Sequence, residues 1–312
     1  MELIRGRQNI PSSAKPSVVS IGNFDGVHLG HLKLIEMLQR EAQRADVPAT
    51  VLTFDPHPHE FFNPTTAPPR LSTFREKLEQ LDKAGVDKVV CLRFNALLAG
   101  MSAEEFVEIY LINGLGVRAL IVGDDFRFGR DRKGDFSLLQ EIGHQADFAV
   151  SSVDTFVVDD HRVSSSRIRQ ILQDADFPLA ERLLGRPFTI TARVAHGDKR
   201  GRTWGFPTAN LMLRHSNLPV GGVYAATVRR CGGERLHGVV NVGFRPTVGG
   251  KRFLVEVHLL NHNETLYGQR LTVEFRHKIR PEKHFESFDG LKVQIGRDIE
   301  QAREFLRQLY PL

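Results

Sequence analysis

Residues 17–31 read Ser17-Val-Val-Ser-Ile21 and then Gly22-Asn-Phe-Asp-Gly-Val-His-Leu-Gly-His31. The first five are an apolar run of strand type that passes directly into a turn punctuated by glycines. His31-Leu-Lys-Leu-Ile-Glu-Met-Leu38 follows with the apolar spacing of a helix. The unpaired N–H groups and positive dipole end of such a helix make a phosphate site. His28 and His31, three residues apart, project from one side of its opening turn. Two imidazoles there can donate hydrogen bonds to a phosphate whose negative charge grows in the transition state. Gly26 and Gly30 allow backbone to approach a ligand closely. The stretch points to nucleotide chemistry on an α/β scaffold; a plain structural turn with a solvated histidine pair is the competing reading.

Outward from this turn, strand and helix patterns alternate. Ala49–Phe54 reads as a buried strand, Ser72–Ala84 as a helix, Asp87–Phe94 as a strand and Ala119–Val122 as another. Ser102-Ala-Glu-Glu105 is a capping box that opens a helix through Tyr110. A helical stretch near Phe136–Ile142 and a strand at Asp154–Val158 complete the series, and Pro64–Pro69 reads as a loop. Alternation of this kind predicts a parallel sheet flanked by helices, with ligands at the carboxyl ends of the strands. Ser164–Leu172 and Phe177–Leu184 read as two more helices, and Leu183-Leu-Gly-Arg-Pro187 breaks the pattern. Beyond it, short strands at Phe188–Ala195, Gly222–Arg230, Leu236–Val242, Phe253–Leu260 and Leu271–Arg276 predict an antiparallel barrel. Phe288–Leu309 is a long amphipathic helix.

The 312 residues fit about two domains, and the boundary is expected between 184 and 185. Charge divides at the same place. Residues 1–185 carry 21 basic and 26 acidic side chains, whereas 186–312 carry 21 and 11. The basic half fits a polyphosphate ligand better than a nucleic acid, because its aromatics form no basic-aromatic cluster. No apolar run is long enough for a membrane span, and Met-Glu-Leu-Ile-Arg-Gly-Arg7 has no secretory core. Cys91 and Cys231 stand far apart, so neither a disulfide scaffold nor a thiolate zinc site is expected, and cytoplasm is the predicted address.

Four segments of the first half converge as candidates: Asn23, Asp25, His28, Gly30 and His31 in the opening turn; Thr53-Phe-Asp55-Pro-His-Pro-His59; Gly123-Asp-Asp125-Phe-Arg-Phe-Gly129; and Ser164-Ser165-Ser-Arg167-Ile-Arg169. Hydroxyls, backbone N–H groups and the Arg167 guanidinium in the last suit phosphate oxygens. Each also has a structural reading: a proline-shaped loop for His57 and His59, a solvated turn for Asp124 and Asp125, an N-cap for the serines. A metal site built from His28, His31, His57 and His59 is a further alternative. In the second half, Gly197, Gly201 and Gly205 are spaced four apart around Lys199, Arg200 and Arg202, a set that can cradle an anion. Pro207-Thr-Ala-Asn210 then offers a hydroxyl and an amide oxygen, hard donors suited to Mg²⁺ held jointly with phosphates. Glu256 lies in the apolar run Phe253-Leu-Val-Glu-Val-His-Leu-Leu260, either on a solvated face or placed as a general base.

Taken together, GNFDGVHLGH, TFDPHP, GDDFRFG, VSSSRIR, LLGRP, GRTWGFPTAN, GVYA, NVGFRPT, EVHLL and LYG occur in an order that resembles the prokaryotic bifunctional riboflavin kinase/FMN adenylyltransferase (FAD synthetase) family over essentially the whole chain. The resemblance implies a Rossmann-like nucleotidyltransferase domain of the HxGH type at 1–184 and a riboflavin kinase barrel with a long terminal helix at 185–312. It implies that His28 and His31 bind ATP phosphates and stabilise the transition state. Asn23 and Asp125 place nucleotide and flavin, and Ser164, Ser165 and Arg167 grip the triphosphate. In the barrel it implies Thr208 and Asn210 as carriers of Mg²⁺ and phosphates and Glu256 as base for the ribityl 5′-hydroxyl. The expected ligands are riboflavin, FMN, FAD and ATP, with no nucleic acid and no membrane; oligomeric state is left open. Trp204, Ser166 and Asn261 depart from the usual family pattern. Rival readings are an HxGH nucleotidyltransferase for another acceptor, a class I aminoacyl-tRNA synthetase, and a flavin-binding regulator that touches nucleic acid. PTAN with Glu256 speaks against the first, and the absence of a KMSKS-type lysine loop against the second.

Overall fold

A computed structural model describes residues 1–11, 16–195, 205–213, 217–230, 233–247, 250–262 and 264–309, with the side chains of 245–247 and 250–252 excepted. Gly197, Lys199, Arg200, Gly201, Arg202, Trp204 and Cys231 therefore lie outside the described residues. The chain forms two compact units, Met1–Pro68 with Phe74–Ser165, and Pro69–Thr73 with Ser166–Leu312.

The first unit is a six-stranded parallel sheet. Its elements are β1 (Glu2–Arg5), β2 (Ser17–Ile21), α1 (Leu29–Arg44), β3 (Ala49–Phe54), α2 (Pro58–Phe62), α3 (Phe74–Lys83) and β4 (Lys88–Leu92). They are followed by α4 (Ala96–Ala99), α5 (Ala103–Phe106), α6 (Asn113–Leu115), β5 (Val117–Gly123), α7 (Phe136–Gln145) and β6 (Ala149–Val153). The strand order is β1-β4-β3-β2-β5-β6. From β2 the chain builds outward through β3 to β4, then returns to place β5 on the other side of β2. The crevice between the carboxyl ends of β2 and β5 is the switch point where α/β sheets bind ligands. All five residues of β2 are buried, because helices cover both faces. Alternate residues feed alternate cores. Val18, Val51, Val89 and Ile121 pack with Leu34, Ile35 and Leu38 of α1 and Leu81 of α3. Val19, Leu52, Val90 and Leu120 pack on the opposite face with Phe106, Val107, Leu111, Leu115 and Leu139.

Three readings change here. The strand expected at Asp154–Val158 is β6, ending at Val153; Val157–Val158 is instead β7, a two-residue ribbon with β8 (His161–Arg162). Strand β6 is the half-exposed sheet edge and carries Ser151 and Ser152, so its apolar signal is weak while Val157-Val158 stands out. The capping box at Ser102 is present, with Ser102 Oγ accepting from the Glu105 N–H at 3.1 Å and Glu105 returning the bond at 2.9 Å. The helix it opens passes through a π-helical segment, Val107–Ile112, before α6. Strand β1, with its mixed Glu-Leu-Ile-Arg sequence, pairs parallel to β4 as the other sheet edge and had no periodic signature long enough to find.

The second unit contains α8 (Ser165–Gln173, its first residue counted with the first unit), α9 (Phe177–Leu184), β9 (Thr189–Ala195), β10 (Ala209–Met212), β11 (Gly222–Arg230), β12 (Arg235–Thr247), β13 (Gly250–Leu259), β14 (Arg270–Arg280) and α10 (Phe288–Leu309). The strands close as β10-β13-β12-β11-β14-β9, every pair antiparallel. Helix α10 covers part of the outer face, burying Ile299, Ala302 and Leu306 against Val223, Ala225 and Val239. Arg280 of β14 clamps it, its guanidinium donating to both oxygens of buried Asp298 at 2.9–3.1 Å. The compact units part at Ser165/Ser166. Helix α9 goes with the barrel because Phe177 packs edge-on to Tyr224 and stacks near Phe275, at 5.7 and 6.2 Å between ring centroids.

Candidate active sites

In the first unit the turn after β2 is held by unusual backbone. Phe24, Gly26 and Val27 all take positive φ, which folds the chain tightly between Ile21 and α1. His28 is the N-cap of α1, and its Nδ1 accepts the His31 backbone N–H at 3.2 Å. The His28 and His31 rings stack at 3.6 Å with a 12° interplanar angle. Phe24 supports His31 from behind at 5.1 Å. Gly30 sits in a tight place: a Cβ there would lie 3.3 Å from the His28 ring and 3.4 Å from the Val163 carbonyl, so either would have to give by a few tenths of an ångström. The serine segment arrives at the same place, since Ser165 Oγ donates to the Asp25 carbonyl at 2.9 Å. Asp25 itself is buried, and the buried Asn23 Oδ1 has no hydrogen-bond partner among the described residues.

The other candidates of this unit separate into neighbours and bystanders. Thr53 Oγ1 donates to the Asn23 carbonyl at 3.3 Å, so the end of β3, with Asp55 two residues on, is tied to the histidine turn. Buried Lys77 of α3 donates to the same Thr53 oxygen at 3.3 Å. Sequence reasoning missed Lys77, although its place beside Phe74, Leu78 and Leu81 on one helix face was a usable signal. His57 shapes its loop: it caps α2, with Nδ1 accepting from the His59 N–H, while Glu60 accepts from the His57 N–H. The four-histidine metal site finds no support, since among the described residues no three His, Cys, Asp or Glu side chains cluster for a metal. Asp124 accepts from the Thr155 hydroxyl at 2.8 Å, which holds its carboxyl below the usual value. Asp125 is largely exposed and pairs with Arg162 at 2.8 Å. Ser164 directly precedes α8, and Arg167, in that helix, donates to Gln170. At the carboxyl ends of β3 and β4, Phe94 meets Phe54, Phe61 and Phe62 at 5.6–5.8 Å, and Phe62 is 59% exposed. These rings offer an apolar, aromatic surface at the same end of the sheet as the histidines.

In the barrel, strand register assembles the site. Asn210 of β10 lies opposite Glu256 of β13, and Glu256 lies opposite Asn241 of β12. Residues paired in this way share a face, with Cβ atoms about 5 Å apart. Their strand neighbours Leu211, Val255, Val257, Val240 and Val242 are buried on the other face, inside the barrel, while the three polar residues are half-buried on the outer face. Thr208 directly precedes β10. The turn before it is fixed to β13 by His258, whose Nδ1 lies 2.9 Å from the Pro207 carbonyl and whose ring meets Phe206 edge-on. Gly205 takes φ +85, with nothing near a would-be Cβ, so its glycine serves conformation. Asn241 and His258 were not among the expected site residues; only register and folding bring them to Glu256 and Thr208.

A family model described as FAD synthetase matches residues 10–167, and one described as riboflavin kinase matches residues 184–306. The chain is 49% identical over 306 residues to a bifunctional riboflavin kinase/FMN adenylyltransferase of Escherichia coli (strain K12), covering 98% of each. The Haemophilus influenzae protein of the same name is 46% identical, with 98% of this chain and 99% of that one covered. A solved structure named as a macrolide-efflux protein from Streptococcus pneumoniae is similar over 97% of this chain and 99% of its own, with a TM-score of 0.79 at 30% identity.

Proposed function

The chain belongs to the bifunctional riboflavin kinase/FMN adenylyltransferase family, and on that footing we propose how its two units divide the work. It phosphorylates riboflavin with ATP to give FMN and ADP, and transfers AMP from a second ATP to FMN to give FAD and pyrophosphate. The barrel, with residues 185–312, carries the kinase step, and residues 1–184 carry the adenylyl transfer. The observation that supports this most is that one chain joins a stacked His28/His31 pair at a helix N-terminus to a barrel face bearing Asn210 and Glu256.

In adenylyl transfer the FMN phosphate oxygen attacks the α-phosphorus of ATP and pyrophosphate leaves. The nucleophile comes with FMN, so no covalent enzyme intermediate is needed. His28 and His31, with the first N–H groups of α1, donate to phosphate oxygens as charge builds on them. Ser164, Ser165 and Arg167 hold the departing pyrophosphate, and Gly30 keeps the backbone close. Asn23 offers its open amide oxygen to a ligand donor. Asp55 and Asp125 flank the site, and the Phe54–Phe62–Phe94 surface stacks the flavin ring.

In the kinase step Glu256 takes the proton of the riboflavin 5′-hydroxyl, whose oxygen attacks the γ-phosphorus while ADP leaves. Positioning and charge stabilisation supply most of the acceleration. The Thr208 hydroxyl and Asn210 amide oxygen are hard donors that fit Mg²⁺ completed by ATP phosphates; the ion neutralises phosphate charge when bound. Gly197, Lys199 and Gly201, which lie outside the described residues, and Gly205 are assigned to the binding of ATP phosphates on their residue types and spacing. The efflux in the Streptococcus protein's name is a statement about that protein. Among the described residues no helix here is long and apolar enough to cross a membrane. A cytoplasmic enzyme working on riboflavin, FMN, FAD and ATP accounts for the features above.

The test is incubation with riboflavin, ATP and Mg²⁺, followed by chromatographic separation of the flavins. FMN and FAD are expected to appear in succession. A preparation that makes neither overturns the reading.

A further inference from the structure

The outer face of the barrel carries an ordered row. Register sets Asn210, Glu256 and Asn241 side by side on β10, β13 and β12, at the inter-strand spacing of about 4.8 Å. Asn241 interrupts the run Val239-Val-Asn-Val242, three valines that favour a strand around a residue that does not. Val239 and Gly243 are its neighbours on the same face. Val239 is buried under α10, whereas Gly243 has no side chain, and Glu282 from the segment after β14 lies over it. Asn241 therefore sits where the cover of α10 ends, half-buried, with an amide that offers both donors and an acceptor. Asn210, Glu256 and Asn241 are each half-buried, so part of every side chain in the row stays open to solvent.

We infer that Asn241 is a specificity-determining residue of the kinase site, hydrogen-bonded to a hydroxyl of the acceptor's sugar-alcohol chain next to the one that reacts. The inference rests on the reading of Glu256 as base and of Asn210 as a phosphate-side residue. Those two assignments fix a direction along the row. The phosphoryl donor lies on the β10 side, the attacking hydroxyl stands at Glu256, and the rest of the acceptor runs toward β12. A polyol chain laid across the strands in that direction brings its next hydroxyls to Asn241, one strand spacing from the base. An amide suits a hydroxyl, which can donate and accept at once. A site that pairs with a substrate hydroxyl discriminates against the analogue lacking it, because the amide is then left unsatisfied.

The experiment compares riboflavin with a flavin bearing a 5-hydroxypentyl tail, which keeps the reacting hydroxyl and lacks the inner three. Kinase kcat/KM is measured for both acceptors in the unaltered protein and in Asn241→Leu, a variant of similar shape. The unaltered protein is expected to prefer riboflavin by about tenfold to a hundredfold. Asn241→Leu should erase most of that preference by losing activity on riboflavin while keeping its activity on the analogue. Retained turnover of the analogue shows that the barrel is folded; if it is lost, Asn241→Val, which suits the strand, takes its place. A preference unchanged in an active variant overturns the inference. Failure of the unaltered protein to phosphorylate riboflavin at all instead overturns the functional reading beneath it.

Discussion

The histidine turn after β2 places its groups with backbone that side chains ordinarily avoid: Phe24 and Val27 hold φ of 48° and 40°. The barrel face places Asn210, Glu256 and Asn241 with ordinary strand backbone, and only the pairing of three strands makes them neighbours. Non-glycine residues at positive φ cost free energy that packing must offset, and here Phe24 and Val27 are fully buried. The turn is therefore a local device, written in one stretch of chain and sensitive to single atoms. The row is a distributed device, sensitive to register and to whatever holds the barrel closed. Errors should consequently be private to one activity in the first case and reach through stability in the second.

The strongest test of that contrast is His28→Ala against Asn210→Ala. His28→Ala should lower FAD formation by about a hundredfold to a thousandfold, the scale of losing one transition-state donor, with FMN formation unchanged. Asn210→Ala should abolish most FMN formation yet leave FAD formation from supplied FMN intact. Loss of both activities in either variant breaks the two-site scheme. Next in size, Asp298→Ala strands Arg280 and should cost the barrel unit about 3 kcal/mol, read as an earlier calorimetric transition with FMN formation failing on heating before adenylyl transfer does. Gly30→Val forces the His28 ring aside and should reduce adenylyl transfer by about a hundredfold, with circular dichroism and kinase rate unchanged. Ser165→Ala removes one hydrogen bond to the turn and should cost about 1 kcal/mol, visible as a raised KM for ATP in FAD formation.

A further effect appears only in alkali. Burial pushes the Tyr224 hydroxyl up to about 12 from 10, while the hydrogen bond its oxygen accepts from the Gly221 N–H acts in the opposite sense. Between those values the unfolded chain has released the proton and the folded barrel has kept it. Stability should thus be whole below pH 10 and fall as pH rises toward 12. Denaturant unfolding of Tyr224→Phe should lack this part of the alkaline decline; an identical decline in both proteins would assign it elsewhere.

Much of this architecture could be read from the chain because its signals are local. The run Ser17–Ile21 is apolar because β2 is covered on both faces, and Leu34, Ile35 and Leu38 mark the buried stripe of α1. The pairing of Glu256 with Asn241 could not be read: fifteen positions separate them, and only the β12–β13 hairpin decides which residue faces which. Glu256 could be flagged as an acid among apolar residues, but its face was ambiguous until Val255 and Val257 were seen to be buried. His258 carried no signal at all, because its partner is a backbone carbonyl 51 residues away. Lys77 sat in a legible helix but was passed over, since a lysine in the sequence Phe-Arg-Glu-Lys-Leu ordinarily faces water. Strand β6 lies five residues before its expected place because exposed edges dilute the apolar alternation that marks a strand.

Phe177 bears on how such a protein can be divided or inherited. Its ring packs against Tyr224 and Phe275, two of the largest fully buried side chains in the chain, yet it precedes the first barrel strand by twelve residues. A kinase half excised at residue 185 would keep every strand and the whole polar row but expose those two rings. A gene fragment able to live independently as the kinase must therefore begin upstream of α9. The stretch that seems in sequence to be a mere connector is the part a free-standing barrel could least do without.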